Sequence, residues 1–225
     1  MRRLALAAAL ALPATLALPA AGVHAGDGLQ LALPEREEWL EMAESILAEN
    51  ARAAAGLDPL AAPMVLCQEA GCRQTGRHSL NAEEITRLRA LFQDSEAGGT
   101  EERRRIGKAV ALLETVMGAR NGTWRDHPGN EHDEDDEAGQ LDCIAESVNT
   151  RTYLDRMEQA GLLRHHQVAG FIHRYTVVLQ HVAVEIVSRD EDEDGARFAV
   201  DSWVGANGEE PEILPYSQWR LEWGV

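Results

Sequence analysis

The hydrophobic period changes once along this chain, and that change limits what it can fold into. Up to about Gly161 apolar residues recur every three or four positions, and from His165 onward they fall in short runs rich in Val, Ile, Phe and Tyr. The first spacing lines one face of a helix; the second suits pleated, half-buried strands. Helices first and strands afterwards predict an α+β fold with an antiparallel sheet.

Four helices are expected before the change. Pro34 suits a first helical position and Glu35, Glu37 and Glu38 a first turn, so a helix is expected over Leu33–Asn50. Trp39, Met42, Ala43, Ile46 and Leu47 form its apolar stripe. Leu57 to Gly76 reads as a loop with a short extended piece. Asn81 with Glu84 forms a capping box ahead of Ile85, Leu88, Leu91 and Phe92. Thr100 can cap a third helix whose inward face carries Ile106, Ala109, Val110, Leu113, Val116 and Met117. A fourth runs from the Cys143 region to about Gln159, ended by Gly161. Strands are expected over His165–Ile172, Tyr175–Val187, Arg197–Trp203 and Ile213–Leu214.

The start of the chain has the pattern of an export signal. A basic Met1-Arg2-Arg3, an apolar run from Leu4 to Leu18 and Val23-His24-Ala25 predict a cleavable signal peptide over residues 1–25. An uncleaved anchor is the alternative, because Leu4 to Val23 carries no charge. The mature chain, residues 26–225, is expected as a single domain. Its parts are a helical portion (26–118), an acidic loop (119–139) and a core (140–225). No other segment could span a bilayer, and the expected compartment is periplasmic or secreted. The formal charge is −17, or −19 once Arg2 and Arg3 are removed, which argues against nucleic acid as a partner.

Three cysteines matter in an oxidising compartment. Cys67 and Cys72 lie close together and predict a disulfide, leaving Cys143 as an odd thiol. Cys67, Cys72 and His78 as three metal ligands are the rival reading, and the spacing is unusual for zinc. His127 and His132, in the acidic loop, also invite a metal, with nothing to fix a geometry.

Cys143 follows Leu141-Asp142 at a helix start, where free N–H groups and the dipole lower a thiol's pKa. His181 and Asp201 lie on successive expected strands. Ser188 to Ala196 is polar, contains Gly195 and reads as a hairpin turn. A turn centred on Glu191 sets His181 directly opposite Asp201, close enough for an imidazole–carboxylate bond. In that arrangement Cys143 is the nucleophile, His181 the general base and acid, and Asp201 the group that orients the imidazole. The backbone N–H of Cys143 would supply one oxyanion donor, and Gln140 is a candidate for a second.

Asp142-Cys143 at a helix start, His181-Val182-Ala183-Val184-Glu185 and Ala199-Val200-Asp201-Ser202-Trp203 resemble the core motifs of transglutaminase-like and papain-like cysteine enzymes. The exported bacterial transglutaminase-like cysteine proteinases are the nearest match. The resemblance covers about Gln140 to Trp203. It implies a papain-like fold, with a helix carrying Cys packed on an antiparallel sheet, and acyl transfer as either peptide hydrolysis or amide transfer. Many members have Gly shortly before the cysteine and an aromatic or acidic residue after it; here Leu141 and Ile144 stand in those regions. The exported proteinases bind calcium through acidic residues on both sides of the cysteine, of which this chain keeps only Asp142.

Asp190-x-Asp192-x-Asp194-Gly195 also matches the front of a calcium loop, with Asp201 at its twelfth position. A charged hairpin turn is the competing interpretation. The expected function is therefore an exported cysteine acyl-transfer enzyme, a peptidase acting on a protein or peptide of the cell envelope. It requires no cofactor, and its loops admit calcium. The alternative is a non-catalytic exported binding module of the same fold, calcium-responsive through its acidic loops.

Overall fold

The computed structural model describes residues 33–93, 98–129, 137–175, 180–190, 193 and 195–221, without side chains for 33–37. The expected signal peptide, His132 with the acidic run around it, Asp192 and Asp194 lie outside the described residues. The chain divides into two compact units, Met1–Arg36 and Glu37–Val225. The second unit carries all three cysteines, His181 and Asp201.

The order of elements is α1 (Leu33–Ala54), β1 (Met64–Cys67), a 3-10 turn (Ala70–Cys72), β2 (Thr75–His78), α2 (Ala82–Ala90), α3 (Gly99–Asn121) and α4 (Cys143–Gln159). Four strands and a short helix follow: β3 (His166–Tyr175), β4 (Gln180–Ser188), β5 (Arg197–Asp201), β6 (Glu212–Pro215) and α5 (Tyr216–Trp219). Strands β3 to β6 form one antiparallel sheet in sequence order, as the α+β expectation requires. The Asn81–Glu84 capping box forms in both directions, and α3 starts at Gly99, with Gly98 rather than Thr100 as its cap.

The side chains of β4 alternate between two layers. Val184 and Ile186 join Phe198 and Val200 of β5 in the main core, with Leu154 and Met157 of α4 and Ile106, Val110 and Leu113 of α3. Ala183 faces the other way, with Ile172, Ala199 and Trp219. Both faces of the strand are covered, which is why its sequence is nearly continuously apolar. Each fully buried Val, Leu or Ile contributes about 1.5–3 kcal/mol relative to exposure.

A second, two-stranded sheet pairs β1 with β2 where the sequence predicts a loop with a short extended piece. Every residue of β1 is buried. One side of its backbone pairs with β2; asparagines from the helices serve the other. Asn50 of α1 accepts from Val65 N at 2.7 Å and donates to Val65 O at 3.0 Å. Asn149 of α4 accepts from Cys67 N at 2.7 Å and donates to Cys67 O at 3.1 Å. Asn121 of α3 donates to the same carbonyl at 2.7 Å. A side-chain amide carries one donor and one acceptor side by side, so it can satisfy a residue's buried N–H and C=O together.

Cys67 and Cys72 form the disulfide, with Cα atoms 4.7 Å apart. That overturns the metal-ligand reading of the pair with His78, whose Nε2 instead meets Asn121 Oδ1 at 3.0 Å. Among the described residues no helix is long and apolar enough to cross a membrane.

Candidate functional site

Cys143 is the first residue of α4. Asp142, with extended backbone, caps the helix by accepting from Ala145 N at 2.8 Å. The thiol lies against the stretch of β4 that carries His181. Sγ donates to Gln180 O at 3.9 Å, and the N–H of Val182 and of Cys143 itself approach the sulfur. Trp39, Val65, Leu141, Ala145, Val148, Val182 and the Cys67–Cys72 disulfide pack around this corner.

His181 Nε2 and Asp201 Oδ2 are 2.6 Å apart, both side chains buried. The carboxylate oxygen accepts, so Nε2 is the donor in this bond. His181 Nδ1 is buried and has no hydrogen-bond partner among the described residues. Trp219 Nε1 donates to the same Asp201 oxygen at 2.7 Å. The imidazole lies 4.6 Å from the Trp203 ring and 5.8 Å from the Trp219 ring, centroid to centroid.

The ladder producing this pair is shifted from the expected one. Val184 pairs with Val200 and Ile186 with Phe198, so the turn centres one residue later than Glu191. Continued, this register sets Ala183 opposite Asp201 and leaves His181 on the diagonal. Diagonal neighbours lie ~7–8 Å apart at Cα, still within reach of an imidazole and a carboxylate. The contact therefore survives a register that moves the facing positions.

The thiol does not have the low pKa expected of a helix start. Burial pushes it up to about 12, and the Asp142 and Asp201 carboxylates add to the rise. The N–H groups of Val182 and Cys143 pull the other way and are outweighed. Part of the Cys143 surface still meets solvent. Among the described residues the hydrogen bond of Sγ goes to Gln180 rather than to His181. At rest the thiol is therefore neutral.

Gln140, the candidate second oxyanion donor, bonds to backbone groups of the preceding loop. It is buried; its Oε1 accepts from His127 N at 3.1 Å and its Nε2 donates to Arg125 O at 2.9 Å. The side-chain amide thereby ties down the 123–129 loop. Asp126 of that loop accepts from Leu141 N at 2.7 Å, and Gly129 N donates to Trp203 O at 2.7 Å. Gly139, at φ +85°, passes so close to the Gly122 carbonyl that a Cβ would collide with it. These contacts hold the residues before Cys143 in place.

Beneath the first turn of α4 lies a set of acids that the sequence did not single out. Glu114 of α3, Asp126 and Glu146 of α4 are all buried. Glu146 and Asp126 are hydrogen-bonded through their side chains, which requires a proton on one of them. Burial, then the Glu114 and Asp126 carboxylates, push Glu146 well above the usual carboxylate range. Burial raises Glu114 to about 8, against the opposing hydrogen bonds of Gly208 N and Ser202. A clue existed in the spacing: Glu114 lies four residues after Val110 and three before Met117, on the apolar stripe of α3.

Asp190, the first residue of the expected calcium loop, is engaged by neighbours, while Asp192 and Asp194 lie outside the described residues. Asp190 Oδ1 is 2.6 Å from His165 Nδ1 and its Oδ2 accepts from Gly99 N at 3.1 Å. Asp201, the twelfth position of that loop, is bonded to His181 and Trp219. Among the described residues no three His, Cys, Asp or Glu side chains are grouped so as to hold a metal ion. No family model, curated protein or solved structure matches the chain.

Proposed function

We propose that this chain is an exported cysteine acyl-transfer enzyme of transglutaminase-like, papain-like architecture, acting on a protein or peptide of the cell envelope. The observation that carries the proposal is the His181 Nε2–Asp201 Oδ2 bond of 2.6 Å between adjacent strands, with Nδ1 lacking a hydrogen-bond partner among the described residues. A helix beginning at Cys143 and packed on β4, the strand of His181, supports it.

In this mechanism Nδ1 of His181 takes the Sγ proton as sulfur attacks the acyl carbon. The Sγ–C bond forms, and the carbonyl π pair moves onto oxygen, toward the backbone N–H of Cys143. Collapse of the tetrahedral intermediate breaks the bond to the leaving group, which receives the proton from Nδ1 and leaves a thioester on Cys143. Water or an amine then attacks the thioester, giving up a proton to His181 and returning the thiol. Because the resting thiol is neutral, His181 acts as a general base during attack instead of holding a preformed thiolate. No cofactor enters any step.

The raised thiol pKa favours the second reading, a non-catalytic binding module of the same fold. Reaction with p-nitrophenyl acetate separates the two. An enzyme acetylates at Cys143 with one equivalent of nitrophenolate released per chain, and His181→Ala slows that step by roughly 10²–10⁴. A rate unchanged by His181→Ala removes the enzyme reading and leaves the binding module.

A further inference from the structure

The C-terminal helix contributes a group to the His181–Asp201 pair that the acyl-transfer reading did not anticipate. Trp219 is 1% exposed, although it lies on a four-residue helix close to the end of the described chain. Its indole N–H donates to Asp201 Oδ2, the oxygen that also accepts from His181. Two donors on one oxygen fix the plane of the carboxylate, and with it the plane of the imidazole.

The indole is itself held from β3. Arg174 is the cross-strand partner of His181, so the two side chains share a face of the sheet. The Arg174 guanidinium lies 4.8 Å from the Trp219 ring centroid, and its Nη1 donates to Trp219 O at 2.9 Å. Tyr216 stacks on the indole, with centroids 6.4 Å apart. The ring is thus fixed by a cation on its face, a bond to its carbonyl and an aromatic neighbour. It packs beside the His181–Asp201 bond on the face of the sheet that carries Ala183 and Ala199.

We infer that Trp219, held by Arg174, is a positioning residue for the proposed Cys143–His181–Asp201 triad: it orients Asp201 and keeps water from the His181–Asp201 hydrogen bond. The inference rests on the acyl-transfer reading for its catalytic meaning and on the observed bonds for its geometry. A hydrophobic plug at the same place would also bury the pair, but it would donate no hydrogen bond to Asp201.

Trp219→Phe in the full chain separates these roles, because it keeps an aromatic plug and removes only the N–H. The readouts are the solvent-exchange rate of the His181 Nε2 proton, followed by NMR, and the rate of acetylation of Cys143 by p-nitrophenyl acetate against pH. A folded Trp219→Phe should exchange that proton at least tenfold faster and acetylate about tenfold more slowly, with a changed pH profile. Arg174→Gln, which leaves the indole in place but frees its carbonyl, should move both readouts the same way by a smaller factor; it is decisive if Trp219→Phe does not fold. Exchange and acetylation at wild-type rates in a folded Trp219→Phe, or in Arg174→Gln where it alone folds, overturn the inference. Wild-type acetylation that does not depend on His181 overturns the enzyme reading instead, and proton exchange then still reports on the pairing.

Discussion

Asn149 holds Cys67 by both of its backbone groups, accepting from the N–H at 2.7 Å and donating to the C=O at 3.1 Å. The helix that begins at Cys143 is thereby fastened to the disulfide strand within two turns of its start. Asn149→Ala leaves a buried N–H without its partner and weakens the bonding of a buried carbonyl. Each unsatisfied buried group costs about 1–3 kcal/mol. The variant should lose roughly 2–4 kcal/mol in urea unfolding at pH 7 with the disulfide intact. A loss below 0.5 kcal/mol would mean that β1 does not depend on this clamp.

The buried acids give stability a dependence on pH opposite in sign to that of an ion-paired carboxylate. Glu114 and Glu146 have folded-state pKa values above their unfolded ones, so the folded protein retains protons that the unfolded chain releases. Their contribution is complete below the ordinary glutamate pKa and is lost as pH rises toward the folded value, about 8 for Glu114. One such group lowers stability by up to roughly 1.4 kcal/mol per pH unit within that window. Urea midpoints should therefore fall between pH 5 and 8, and Glu114→Gln should flatten the slope. A midpoint that rises over this range would show that the acids are ionised in the fold.

Cys143 should react slowly with small alkylating reagents. With its pKa pushed to about 12, the thiolate fraction at pH 7 is roughly three orders of magnitude below that of a free thiol. Asp142→Asn tests the electrostatic part of that rise. Asn caps a helix about as well as Asp, so α4 stays formed while the negative charge beside the sulfur is removed. Iodoacetamide labelling at fixed pH should then speed up several-fold with little change in melting temperature. An unchanged rate would assign the rise to burial alone.

The disulfide closes a short loop, with its cysteines five positions apart. Chain-entropy arguments give such a loop about 2 kcal/mol. The double variant Cys67→Ser, Cys72→Ser should lose at least that amount, because both positions are buried and would now hold hydroxyls. Denaturant unfolding checks this, and a loss well under 1 kcal/mol would mean that the asparagine clamps alone hold the segment.

How much of this was legible in the sequence differs by feature. The start of α4 was readable because Asp142 is a strong capping residue ahead of an apolar period. The disulfide followed from cysteine spacing. The His181–Asp201 contact was anticipated from a register two positions off in the partner, and survived because long side chains bridge a diagonal. The β1–β2 sheet was missed because its partners on one side are asparagine side chains scattered over three helices, which leave no local pattern. The bonds of Gln140 to His127 N and Arg125 O were not legible, because proximity in sequence to the cysteine says nothing about which backbone groups a side-chain amide will meet. Trp219 was invisible for a related reason: a four-residue helix has too few turns to show a period.

The asparagines that serve β1 have a consequence for how this protein behaves among its own copies. A strand with one unpaired side is a template on which another chain can add. Here Asn50 and Asn149 bond the N–H and C=O groups of Val65 and Cys67 on that side, and the helices carrying them block the approach. β1 thus has its second side satisfied without a third strand, and it offers no foothold for the edge-to-edge stacking that begins aggregation.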